Sequence, residues 1–158
     1  MFSDSTVDHD LPIACDPGAL TLEQSERWMV VGRQMYRAIQ EVRERPNGYA
    51  FRLPGDTATL LIIAEDLTME RLCCPFLRFA LEITPGGGPF WLSFTGGEGV
   101  KEFLRFSFEE TDALDESVAR AAGFSVSARK ELDSVQTTLK ITEAINERSA
   151  QAMKAHHK

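Results

Sequence analysis

Two short runs of alternating apolar and polar residues, 39–45 and 49–53, flank Pro46-Asn47-Gly48. Asn-Gly between alternating runs is a strong local hairpin signal, because it suits the positive φ of a tight turn. A chain committed to an antiparallel hairpin here is steered away from an all-helical fold. A second hairpin is expected further on. Leu77, Phe79, Leu81 and Ile83 repeat with period two, Pro85-Gly86-Gly87-Gly88-Pro89 breaks the chain, and Phe90, Leu92 and Phe94 return.

Each hairpin is preceded by a helix pattern. Thr21, with Gln24 three residues on, reads as a capping box before a helix over 22–37. Asp56 or Thr57 can cap a second helix carrying Leu60, Ile63, Ala64, Leu67 and Leu72. Pro75 disfavours the α region at Cys74 and ends that helix. A short strand is expected over 11–15 and a short helix over 100–106. The expected fold class is α+β: an antiparallel sheet built from two helix-plus-hairpin units, followed by a helical C-terminal tail. The expected division is a disordered 1–10, a domain over 11–106 and a helical extension over 107–158. In the extension, helices are expected over 115–122 and 127–153, and the long one is expected to dock on the domain or to make a homodimer.

At 158 residues, 43% hydrophobic and 26% charged, the chain is long enough for one real core. A net charge of −7 lacks the basic footprint that phosphate backbones attract, so no nucleic-acid partner is expected for this chain alone. No apolar run reaches membrane-spanning length, and residues 1–10 carry no Lys or Arg for a signal peptide. With an odd count of three cysteines, free thiols in a reducing, cytoplasmic compartment are expected.

Those cysteines, Cys15, Cys73 and Cys74, are the one concentrated chemical signal. Thiolates are soft ligands that suit Hg, As, Cu or Zn ions. Adjacent cysteines at a helix end diverge less than they would in mid-helix, so Cys73 and Cys74 can reach one large ion. Cys15 can add a third thiolate, and Asp16 or Glu70 an oxygen. Arg71 and Arg78 can offset the negative helix terminus that disfavours thiolate. The pattern is not a structural zinc site, which takes four ligands, commonly with Cys-x-x-Cys spacing. Three function classes follow: a soft-metal or metalloid binding protein, an enzyme using Cys73 or Cys74 as nucleophile or proton donor on a small molecule, and a non-catalytic ligand or interaction module with buried cysteines. Free cysteine is among the most buried residue types, which keeps the last class open.

Other constellations are weaker. His9, His156 and His157 all lie near the termini, against a Ser-His-Asp or Cys-His set. Glu65 and Asp66 read as a solvated helix face. Arg43, Arg45 and Arg52 read as salt-bridged surface. Phe76, Phe79 and Trp91 read as core, or as the wall of a small-molecule pocket.

Three stretches also carry a resemblance: Glu70-Arg71-Leu72-Cys73-Cys74-Pro75-Phe76, then Gly87-Gly88-Pro89-Phe90-Trp91-Leu92, then Thr95-Gly96-Gly97-Glu98-Gly99-Val100. Together with Gly48-Tyr49-Ala50-Phe51-Arg52 and Ile13-Ala14-Cys15-Asp16, they resemble an uncharacterised family of small bacterial proteins over about 11–105. Such domains resemble ones associated with metal-responsive regulators, and the resemblance implies soft-metal sensing or handling. The tail lies outside it.

Overall fold

The computed structural model describes residues 11–126 and, in the tail, 142–143, 146–148, 150–151 and 154. The order is a single 3-10 turn (Pro17–Ala19), α1 (Leu22–Arg37), β1 (Glu41–Arg45), β2 (Gly48–Leu53), α2 (Thr57–Cys73), β3 (Arg78–Ile83), β4 (Phe90–Thr95), α3 (Val100–Thr111) and α4 (Glu116–Ala121). The fold is α+β, with a four-stranded antiparallel sheet in the order β1-β2-β4-β3.

Local chemistry starts both long helices as expected. The Thr21 hydroxyl accepts from the Gln24 N–H at 3.1 Å, and the Gln24 side chain accepts from the Thr21 N–H at 2.9 Å. Asp56 accepts from the Thr59 N–H at 2.8 Å. The bidentate pair of Arg27 on α1 with Glu65 on α2 ties the helices together at their surface.

The two hairpins meet at β2 and β4, where Tyr49 opposes Phe94 and Phe51 opposes Leu92. Tyr49, Phe51 and Leu53 share one face of β2 with Phe90, Leu92 and Phe94 of β4, and all six are buried. Tyr36 of α1 meets Phe94 edge-on at 6.4 Å, and Phe108 of α3 meets Phe51 at 5.3 Å. The core therefore lies between this sheet face and α1 and α3.

The first hairpin forms, but not through an Asn-Gly turn. Pro46 and Asn47 make the turn, and neither Asn47 nor Gly48 has positive φ. Proline's fixed φ suits the first turn position, which pushes Gly48 into β2 opposite Arg45. Glycine is needed there for room: a Cβ on Gly48 would stand 1.9 Å from the Phe94 carbonyl oxygen.

Four other expectations change. Residues 11–15 form no strand; they run as an exposed segment tied to the end of α2. In β3, Leu81 and Ile83 are exposed at 37% and 59%, because β3 is an edge strand and the helices cover the sheet elsewhere. Helix α3 runs on past residue 106 to Thr111, and the compact unit extends to Ser125 instead of ending at 106. The reason is aromatic: Phe108 and Phe124 are buried and stack at 6.1 Å, drawing the chain beyond α3 back onto the core. Finally, Asp66 is not on a solvated face. Glu65 points out to Arg27, whereas Asp66, turned about 100° further round the helix, is fully buried.

The 115–122 helix forms as α4, capped by Asp115, and Gly123 ends it at φ 80°. A second unit spans Val126–Lys158, and its described residues from 142 onward are helical. The expected disorder of 1–10, most of the expected 127–153 helix and the homodimer contact placed on it lie outside the described residues. Among the described residues no helix is long and apolar enough to cross a membrane.

Candidate metal centre

Helix α2 delivers two of the three cysteines. Cys73 is its last residue, in line with the buried stripe of Ile63, Asp66 and Glu70. Cys74 leaves the helix with φ −120° and ψ 71°, as a residue before proline must, while its N–H still donates to the Glu70 carbonyl at 2.8 Å. The third cysteine arrives on the N-terminal segment. The Asp16 N–H donates to the Cys73 carbonyl at 2.7 Å, so one orphan carbonyl of the helix end is satisfied by the residue beside Cys15. Ile13 anchors the same segment against Gly99, where a Cβ would stand 3.0 Å from its Cδ1. Gly99 opens α3 at φ 89°, a conformation that favours glycine.

The result is a compact thiol cluster. The Sγ atoms of Cys15, Cys73 and Cys74 all lie within 4.8 Å of one another, and those of Cys15 and Cys74 are 3.4 Å apart. Sulfurs bound to one ion at about 2.3 Å stand roughly 3.8 Å apart at tetrahedral angles, so these spacings bracket the need. The three cysteines can hold a metal ion. Cys15 is exposed, whereas Cys73 and Cys74 are buried.

The surroundings are apolar and acidic. Burial pushes the Cys74 thiol far above its ordinary range, and the Glu70 carboxylate and the neighbouring thiols push the same way. Burial also raises Cys73. Glu70 is itself raised by burial, with its hydrogen bonds to Trp28 and Cys74 pulling it part of the way back. The Trp28 indole N–H donates to Glu70 Oε2 at 2.7 Å. One turn earlier on α2, both Asp66 oxygens are buried without a hydrogen-bond partner, and burial lifts that carboxyl to about 8. Gly32 on α1 makes room for it: a Cβ there would meet Asp66 Oδ1 at 3.3 Å.

A cavity of about 530 Å³ opens beside the cluster. Cys15, Cys74 and Glu70 line it, facing Tyr36, Phe103 and Phe108. That volume is within the usual range for small-molecule sites.

The expected supporting residues divide. Glu70 is at the site. Asp16 contributes a backbone contact to Cys73, and a Cβ on Gly18 would stand 3.3 Å from its Oδ1. Arg71 and Arg78 are exposed, and Glu70 is a carboxylate that raises both buried thiols. The expected aromatic pocket is replaced by another. Phe76 packs on Phe103 at 5.1 Å and Phe79 on Phe94 at 4.9 Å. Trp91 is on the other face of β4, under the Arg43 guanidinium at 4.3 Å, because side chains alternate along a strand. There Glu41 pairs with Arg43 at 2.9 Å and Arg52 at 3.9 Å.

Sequence reading missed Trp28, Tyr36 and Asp66. One signal for Asp66 was present: Ile63, Asp66, Glu70 and Cys73 follow helical spacing, so an acid stands inside an otherwise buried stripe. Comparison with family models, with curated proteins and with solved structures finds no match to this chain.

Proposed function

We propose that this protein binds a soft metal or metalloid ion through thiolates from Cys15, Cys73 and Cys74. One observation carries the reading: thiols from two separate segments converge to within 4.8 Å, with a backbone hydrogen bond from Asp16 to Cys73 holding the segments together. Three sulfur donors in an apolar setting suit thiophilic ions such as Hg(II), As(III) or Cu(I) better than an ion that wants oxygen. The resemblance to domains associated with metal-responsive regulators supports the same reading. A site that works through free thiols needs a reducing environment, so the proposal places the protein in the cytoplasm.

Native mass spectrometry of the reduced protein, with one equivalent each of Hg(II), As(III) and Zn(II), tests it. A stable adduct that disappears in the Cys73→Ala, Cys74→Ala double variant is expected. The same spectrum reports whether the chain forms a homodimer. Absence of any adduct would return the cysteines to the core.

A cysteine-dependent enzyme is the weaker reading. A nucleophilic thiol needs a depressed pKa, and burial moves Cys73 and Cys74 the other way. Alkylation of both at neutral pH is expected to be slow, and rapid alkylation of either would favour the enzyme.

A further inference from the structure

The cavity distinguishes among the three thiols. Cys15 and Cys74 line it, 3.4 Å apart, and Cys73 is not among its lining residues. A bare ion needs no cavity, whereas an ion carrying an organic group does. The wall is mostly apolar, with Tyr36, Phe94, Phe103, Leu104 and Phe108 on it, and it also carries the charged Arg33, Arg37, Glu70 and Asp112. The first five come from α1, β4 and α3, with Phe94, Leu104 and Phe108 themselves buried. An aromatic ring fits the 530 Å³ with room to spare.

Building on the thiolate reading above, we infer that the ligand is a monosubstituted trivalent metalloid, R–As(OH)2 in type, held by Cys15 and Cys74 with its apolar group R in the cavity. Such a centre keeps one bond to carbon and needs two thiolates, the number the cavity presents. The exchange balances without a redox step. At each position an As–O bond breaks and an As–S bond forms, and the thiol proton leaves with the hydroxide as water. Two waters depart per ligand and no proton is released to solvent. A bare divalent cation must expel thiol protons to solvent before it binds.

The test is calorimetric titration of the reduced full-length chain with arsenite, methylarsonous acid and phenylarsonous acid (from phenylarsine oxide). Phenyl is expected to bind about tenfold or more tighter than methyl, because burying an aromatic ring removes that much apolar surface from water. Ser107 lines the cavity on α3. Ser107→Phe is expected to erase the phenyl preference. Cys73→Ala is expected to keep phenylarsonous acid, which needs two thiols, and to lose arsenite, which uses three. Cys15→Ala is expected to lose both.

Equal affinity for methyl and phenyl ligands, or loss of the phenyl ligand in Cys73→Ala, would overturn the inference and leave the thiolate site standing. No binding of any arsenical or of Hg(II) would overturn the thiolate reading itself. The methyl-to-phenyl ratio is read on the unaltered chain, so it decides the matter even if a variant does not fold.

Discussion

The two helix–hairpin units share an element order and differ in what they bury. In the first unit, α1 turns Val31, Gly32 and Met35 inward, and β2 is buried along nearly its whole length. In the second, α2 turns Asp66, Glu70 and Cys73 inward beside Ile63 and Met69, while β3, like β1 of the first, is an edge strand open to solvent. The first unit is built like ordinary core. The second holds ionisable groups in apolar surroundings, an arrangement that raises pKa values and lowers stability. The difference teaches where the proposed site draws its ionisable groups: from the helix that could have been entirely apolar and is not.

The largest expected effect sharpens that contrast through pH. An unfolded aspartate titrates near 3.8 and folded Asp66 near 8. Below about pH 4 both states hold the proton and Asp66 carries no ionisation penalty. As pH rises toward 8 the unfolded chain loses its proton while the fold retains it, so stability falls across that window. Asp66→Asn is expected to recover up to the order of 5 kcal/mol at pH 8 and almost nothing at pH 4. Urea denaturation of both proteins across this range checks it, and equal pH dependence in the two would show that Asp66 is not the titrating group.

The next effect belongs to the first unit and should be indifferent to pH. Phe51 is fully buried between Phe94 and Phe108. Phe51→Ala is expected to lose roughly 3–5 kcal/mol by chemical denaturation, through lost burial and the cavity left behind. A smaller effect crosses between the units. Trp28→Phe takes the indole donor of α1 from Glu70 of α2, leaving a buried carboxyl one partner short, at about 1–3 kcal/mol. Its companion signature is a further rise of the Glu70 pKa, visible by carbonyl NMR. The smallest effect is in β3. Ile83→Ala, at a side chain 59% exposed, is expected to change stability by no more than about 0.5 kcal/mol. A large loss there would show that the open edge of the sheet carries packing energy after all.

Much of the fold was legible because its signals are local. The Thr21 capping box, the Asp56 cap, the stop at Pro75 and the two hairpins each depend on residues only a few positions apart. The misread features depend on distant neighbours. That β3 would be an edge, and Leu81 and Ile83 exposed, follows from strand order. That α3 would continue follows from Phe108 finding Phe124 and Phe51.

The candidate site divides in the same way. Sequence alone singled out the three cysteines as the candidate ligands and showed that Cys74 leaves the helix, because the constraint before a proline acts within two residues. Tertiary structure alone decided that Cys15 reaches Cys74, that Asp66 is buried opposite Gly32, and that Tyr36, Phe103 and Phe108, not Phe76, Phe79 and Trp91, wall the cavity. Those outcomes depend on which elements pack together, and packing is set by the summed burial of the whole core, which no short stretch of sequence contains.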